Sequence, residues 1–156
     1  MGTYRQSIPQ ADTLMGSMRS MGYSFEAAIA DIIDNGISAN CSVVKLFFPS
    51  EPTDDLVVGI LDDGEGMSAG VLFEAMRYGS TDSELERNAN DLGRFGLGMK
   101  SASLSQCRIL TVVSLQEEKI SSYSWDYNYI QNKKEWVVKE LSQNEIKALP
   151  YIHSLL

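Results

Sequence analysis

Apolar residues between positions 25 and 37 recur at intervals of three and four, the spacing that places them on one face of an α-helix. Ser24 stands directly before this run, where a serine hydroxyl can accept a hydrogen bond from an otherwise free N–H group. Asp31, Asn35 and Ser38 lie along the opposite side. The sequence therefore predicts an amphipathic helix, capped by Ser24, whose polar face carries an acid and an amide.

Short apolar runs rich in β-branched residues predict strands. They occupy residues 43–48, 56–61, 107–115, 119–125 and 135–141. Ser68 precedes a second helical pattern, which Gly79 is placed to end. We expect an α/β (α+β) two-layer sandwich, with a mixed β-sheet and the helices on one face.

Composition narrows the range of functions. The chain of 156 residues is 44% hydrophobic, which suits one domain with a core, and we interpret residues 1–156 as that domain. The net charge of −8 disfavours direct nucleic-acid binding, and the densest basic stretch, residues 132–134, is predicted to be the tip of a turn. With no run of membrane-span or signal-peptide character, we expect no membrane association and a cytoplasmic location. Cys41 and Cys107 are expected to be buried, reduced thiols.

Residues 92–105 read LGRFGLGMKSASLS and predict a phosphate-binding loop. Glycines let backbone N–H groups converge on an anion, and a helix that begins just behind them adds the positive end of its dipole. The glycine spacing misses both the P-loop and the dinucleotide-binding pattern. The polar residues 80–91 offer little to bury, so we expect them to form a mobile lid that leads into the glycines.

Two further segments carry candidate chemistry. Asp31 and Asn35 share a helical face, where a carboxylate can take a proton from water and an amide oxygen suits Mg²⁺; the alternative is a solvated polar face. Residues 62–67, DDGEGM, end a predicted strand. There a carboxylate can accept from an exocyclic amine, and glycines let a flat ring approach the backbone; the alternative is an ordinary acidic turn. The order of the acids disfavours a calcium loop.

Three ordered motifs carry a family resemblance: AIADIIDNGISA, LDDGEGM and LGRFGLGMKSASLS. Together they resemble the Bergerat-fold ATPases, the GHKL group that includes the gyrase B subunit, the ninety-kilodalton heat-shock chaperones, histidine kinases and MutL. Among these, the chain is most similar to the chaperone, MutL and MORC branches. The resemblance covers about residues 12–115 and implies a Bergerat ATP-binding fold.

The resemblance implies that the ligands are ATP or ADP and Mg²⁺. By the family pattern, Asn35 would coordinate the Mg²⁺ and Asp62 would hydrogen-bond the adenine amine. Asp31 stands where relatives usually carry the water-activating glutamate; because its side chain is one methylene shorter, we expect slow hydrolysis.

The remaining site residues follow from the same pattern. The adenine pocket would be shaped by Gly64, Gly66 and Met67. The triphosphate would be covered by the end of the lid, formed by Gly93, Phe95, Gly96, Leu97 and Gly98. Lys100 either faces the phosphates or is a surface lysine.

One family motif, a late Gly-Thr pair, has no match after Leu115. We interpret the chain as an N-terminal fragment truncated before that motif, or as a divergent domain, and expect further domains and a possible homodimer. The leading hypothesis is an ATP-driven conformational switch acting through a lid at residues 80–98. The alternatives are a nucleotide-binding or interaction module without useful hydrolysis, and a catalytic subdomain of the histidine-kinase type.

Overall fold

A computed structural model describes residues 2–50, 56–78 and 98–154 of the chain. The elements in chain order are α1 (Ala11–Arg19), α2 (Phe25–Ser38), β1 (Val44–Phe47), β2 (Gly59–Asp62), α3 (Ala69–Met76), α4 (Gly98–Gln106), β3 (Ile109–Gln116), β4 (Lys119–Asp126), α5 (Tyr127–Lys133), β5 (Lys139–Glu140), α6 (Gln143–Lys147) and a 3₁₀ turn (Ile152–Ser154). Helices and sheets together confirm the predicted α/β sandwich class. None of the helices in these ranges has the length and apolar character needed to cross a membrane.

The strands form two sheets, β1-β2 and β3-β4-β5, and each pairing in the described part of the chain is antiparallel. In the first sheet, Val44 lies opposite Asp62. The segment after β2 joins the two sheets, because the Met67 N–H donates to the Ser114 hydroxyl at 2.7 Å and the Gln116 amide donates to the Gly66 carbonyl at 3.2 Å. The end of β2 is therefore fixed against the end of β3.

A hydrophobic core among the described residues holds α1, α3, α4 and α5 against the second sheet. It joins α1, α3, α4, β4 and α5 through buried residues that include Met15, Leu72, Met76, Leu104, Trp125 and Ile130. Each large apolar side chain buried in this way contributes roughly 1.5–3 kcal/mol to folding. The Trp125 indole N–H donates to the Met76 carbonyl at 2.8 Å, so its polar atom is also satisfied.

Both predicted helix starts are confirmed. The Ser24 hydroxyl accepts from the Ala27 N–H, and the Ser68 hydroxyl accepts from the Val71 N–H. The predicted end of α3 is wrong. The helix ends at Met76, where Arg77 adopts an extended backbone, whereas Gly79 lies outside the described residues.

Three other predictions are corrected. Residues 132–134 are not the tip of a turn but the end of α5, which Asp126 caps at its start and Lys134 ends with a left-handed φ of 58°. The strand predicted at residues 135–141 shrinks to Lys139–Glu140. Cys41 and Cys107 are free thiols as expected, but they are half-buried rather than buried.

The helix α1 was not predicted. Its last residue, Arg19, donates from its guanidinium to the carbonyls of Leu104 and Cys107. These carbonyls lie at the C-terminal end of α4, where a cation is favoured by the helix dipole. Arg19 therefore fastens the N-terminal helix to α4.

Candidate functional site

Helix α2 and the end of β2 meet at Gly36, a buried glycine. A Cβ built on Gly36 would lie 3.2 Å from the Cβ of Asp62 and 3.3 Å from the sulfur of Cys41. Asn35 is the chain neighbour of Gly36. Two motifs that are distant in sequence are thus brought together, because the helix that carries Asp31 and Asn35 contacts the strand end that carries Asp62.

Asp31 and Asn35 are both half-buried on α2. Within residues 2–50, 56–78 and 98–154, the hydrogen bonds that hold α2 are backbone bonds and the cap from Ser24. The side chains of Asp31 and Asn35 are thus supported by a regular helix and leave their polar atoms to other partners.

Asp62 is exposed at the end of β2, and its Oδ1 accepts a hydrogen bond from the Gly64 N–H at 3.0 Å. This bond orients the carboxylate, which keeps further acceptor capacity for a ligand. A Cβ on Gly64 would lie 2.8 Å from both the Ala39 carbonyl oxygen and Asp62 Oδ1. Only a glycine therefore fits between the end of α2 and the Asp62 carboxylate.

Gly66 has even less room for a side chain than Gly64. Its φ is +68°, and a Cβ there would lie 2.0 Å from the carbonyl oxygen of Leu115. The next residue, Met67, is half-buried and is held through its N–H by Ser114. The strand-end turn thus presents backbone and a soft apolar side chain, the kind of surface against which a flat ring can pack.

The two neighbouring aspartates have different partners. The Asp63 carboxylate accepts from the backbone N–H groups of Val43 and Ser42, at 2.8 Å and 2.6 Å. These two bonds hold the pKa of Asp63 below its usual value. Asp63 is therefore a structural brace that ties the turn to the start of β1, and Asp62 is the acid of the pair that is available to a ligand.

Lys100 is buried against the end of α3. Its side chain is 1% exposed, so the prediction of a surface lysine is wrong. The ammonium donates to the carbonyls of Ala75 and Arg77 at the end of α3 and lies 5.6 Å from the centre of the Tyr78 ring. Burial lowers its pKa to about 8. These contacts give Lys100 a structural role as a bridge from α4 to α3, and phosphate binding by Lys100 stays a prediction.

Most of the predicted lid lies outside the described residues. This holds for the predicted phosphate-loop residues Gly93, Phe95, Gly96 and Leu97. Gly98 is the first residue of α4, and α4 packs against α2. The helix expected behind the glycine loop is therefore present beside the helix that carries Asp31 and Asn35.

Sequence reasoning missed Cys41, whose half-buried thiol lies beside Gly36 and Asp62. Desolvation raises the pKa of this thiol, and the charges of Asp62 and Asp63 raise it further. No motif marks this position. It is created by the turn after α2, where Asn40 takes a left-handed φ of 57°.

Comparison with known protein families gives a match over most of the chain. A family model described as histidine kinase-, DNA gyrase B- and HSP90-like ATPase matches residues 23–155. The matched region contains α2, the turn after β2 and α4, the three elements that carry the candidate site.

Proposed function

The chain belongs to the histidine kinase-, DNA gyrase B- and HSP90-like ATPase family, and from this we propose that it binds ATP with Mg²⁺ between α2 and residues 62–67 and hydrolyses it slowly. The observation that carries the proposal is the contact at Gly36. It joins the helix with the candidate metal ligand and catalytic acid to the strand end with the candidate base-reading carboxylate.

On the adenine side, Asp62 would accept a hydrogen bond from the exocyclic amine. The Gly64 N–H already orients its carboxylate, so little rearrangement is needed on binding. Gly64 and Gly66 add no side chain to the turn, and Met67 would form an apolar wall. A base with a carbonyl in place of the amine would bring an acceptor oxygen against the Asp62 carboxylate, which is also an acceptor. Asp62 would therefore favour adenine.

On the phosphate side, Asn35 would hold the Mg²⁺ through its amide oxygen. The donor type fits, because Mg²⁺ binds oxygen ligands and takes its remaining ones from nucleotide phosphates and water. The position of Asn35 also fits. Its side chain is half-buried on a regular helix and forms no hydrogen bond to the described residues, so the amide oxygen is available to a metal ion. The cation would supply charge neutralisation on the phosphates.

Asp31 would act as the general base. It would accept the proton of the water that attacks the γ-phosphorus, while the bond from that phosphorus to the bridging oxygen breaks and ADP leaves. The aspartate carboxylate reaches roughly 1.5 Å less far than a glutamate carboxylate, which misaligns it with the water. Turnover should therefore be slow.

We propose further that nucleotide orders residues 80–98 as a lid and thereby changes an interface with another domain or a second subunit, as in a chaperone-, MutL- or MORC-like switch. The support is the place of α4, whose N-terminus follows the glycine loop and which packs on α2. Binding without useful hydrolysis is the second candidate, and the shortened acid at Asp31 favours it.

Calorimetric titration with ATP and Mg²⁺, with Asp62→Asn as the control, tests binding. We expect saturable binding that weakens by about tenfold in the variant, because the charged carboxylate acceptor is replaced by a neutral amide. Equal binding by the variant would contradict the proposed base contact.

Phosphate release by wild type, Asp31→Glu and Asp31→Asn tests hydrolysis. We expect the glutamate variant to turn over faster than wild type and the asparagine variant to be inactive. If all three release phosphate at one rate, Asp31 is not the base. Binding without any release in wild type or Asp31→Glu would establish the second candidate.

A further inference from the structure

An open groove lies between α1, the end of α3 and the second sheet. Its volume is about 630 Å³, within the range of roughly 300–1,000 Å³ that is typical of small-molecule sites. Its lining includes the aromatic residues Phe73, Tyr78, Trp125 and Trp136, and one arginine, Arg77. Among the described residues, none of α2 and none of positions 62–67 lines it. The groove is therefore separate from the proposed nucleotide site.

The aromatic rings of the groove meet edge to face. The ring centre of Trp136 lies 5.9 Å from that of Tyr78 and 6.2 Å from that of Trp125, at interplanar angles of 60° and 90°. Phe73 adds a ring that is 41% exposed. Both indole N–H groups already donate to backbone carbonyls. Because an edge-to-face contact leaves at least one face of each ring free of its partner, this wall suits a flat aromatic group.

Arg77 supplies the charge of the groove. Its Nη1 donates to the two carboxylate oxygens of Glu74, at 2.9 and 3.2 Å, and both side chains of this pair are more than half exposed. Within residues 2–50, 56–78 and 98–154, Nε and Nη2 of Arg77 have no hydrogen-bond partner. An exposed ion pair is weak, so a second carboxylate can bind this guanidinium beside Glu74 or in its place.

We propose that the groove binds a small aromatic carboxylic acid, whose ring packs against Phe73 and Trp136 and whose carboxylate pairs with Arg77. Charge complementarity selects this class of ligand. The guanidinium matches a carboxylate with two parallel N–H donors, and it repels the cations that aromatic rings would otherwise attract. The Lys100 ammonium, 5.6 Å from the centre of the Tyr78 ring, acts in the same direction.

Calorimetric titration with cinnamate, a flat aromatic acid, and with its uncharged analogue cinnamamide tests the proposal. Arg108→Met is the matched control for Arg77→Met, because Arg108 is also exposed but does not line the groove. We expect wild type and Arg108→Met to bind cinnamate equally, and Arg77→Met to bind it about tenfold more weakly. All three proteins should bind cinnamamide alike. Equal affinity of wild type and Arg77→Met for cinnamate overturns the proposal.

Two further variants change exposed side chains and separate the charge from the ring. Glu74→Gln removes the competing carboxylate, so cinnamate should bind about two- to fivefold more tightly while the affinity for cinnamamide stays the same. Phe73→Ala removes a ring of the wall and should weaken the binding of both probes. If folded Phe73→Ala binds cinnamate as wild type does, the ring does not pack in this groove and the proposal is overturned.

Other occupants of the groove give different results. If folded wild type shows no saturable binding of cinnamate at millimolar concentration, the proposal is overturned. Binding of the neutral probe N-acetyltryptophanamide without binding of cinnamate would assign the groove to a peptide side chain. Self-association of wild type in sedimentation experiments that Phe73→Ala abolishes would assign it to a second copy of the chain. Either result replaces the aromatic acid as the ligand.

Discussion

The two walls of the proposed nucleotide cleft are built in different ways. The turn at residues 62–67 is locked by backbone contacts and by glycines that no other residue can replace, and it joins the two sheets. The polar face of α2 carries two half-buried side chains, Asp31 and Asn35, on a regular helix. We therefore expect the base wall to combine recognition with structure, and the α2 wall to supply chemistry that can be changed without disturbing the fold.

The largest effect is expected from Gly66→Ala. The new Cβ would overlap the Leu115 carbonyl, and the positive φ disfavours any side chain, so we expect a loss of about 3 kcal/mol or more in the free energy of unfolding. Urea unfolding measures it, with Gly70→Ala as the control that should be neutral or mildly stabilising. A Gly66→Ala protein as stable as wild type would show that the two sheets do not meet at this turn.

Ser114→Ala should have the next largest effect. Its hydroxyl is the acceptor for the Met67 N–H, and alanine leaves this half-buried donor without its partner. We expect a loss of about 1–2 kcal/mol in the free energy of unfolding, together with weaker ATP binding, because Met67 loses its fixed position. Ser114→Thr keeps the hydroxyl and is the matched control. Normal ATP affinity in a destabilised Ser114→Ala protein would separate the structural role of the turn from recognition.

The buried Lys100 predicts a pH dependence. Folding lowers its pKa from the ordinary value of 10.5 to about 8, so between these values the unfolded chain binds more protons and stability rises with pH. Between pH 8 and about pH 9 we expect wild type to gain about 1 kcal/mol in the free energy of unfolding relative to Lys100→Met, which lacks the titrating group.

Denaturant unfolding of both proteins at each pH measures this gain. The half-buried thiols of Cys41 and Cys107 have raised pKa values, so above pH 9 they make stability fall as pH rises. Both proteins contain these thiols, so their contribution cancels when the two free energies of unfolding are subtracted. If the free energy of unfolding changes with pH in the same way in both proteins, the Lys100 ammonium is not desolvated.

The smallest effect on stability is expected from Asn35→Ala. The side chain is half-buried and lies on the polar face of α2, so its removal should change the free energy of unfolding by less than about 0.5 kcal/mol. Thermal and urea unfolding check this value. A loss comparable to that of Ser114→Ala would mean that the α2 wall is as structural as the base wall, and the contrast between the two would fail.

The sequence was sufficient where local rules decide the structure. Hydrophobic periodicity and a preceding serine predicted α2 and α3 with their caps, and the β-branched runs predicted the centres of β1 to β4. The three motifs also predicted which segments carry the candidate site, and the structure places α2 and the turn after β2 in contact.

Tertiary contacts decided the rest. The end of α3 and the burial of Lys100 depend on each other, because the ammonium binds the carbonyls that the helix leaves free. The position of α1 depends on Arg19 reaching the end of α4. Cys41 lies beside Gly36 because of the turn at Asn40 and because Gly36 has no side chain. No local sequence pattern encodes these contacts.

The most direct test of the two-wall account is a calorimetric titration of wild type, Asp62→Asn and Asn35→Ala with ATP, each with and without Mg²⁺. We predict that Asp62→Asn weakens binding by about tenfold under both conditions, because the base contact needs no metal. Asn35→Ala should match wild type without Mg²⁺ and lose the additional affinity that Mg²⁺ confers. Wild-type affinities for Asp62→Asn, or a full Mg²⁺ effect in Asn35→Ala, would contradict the account.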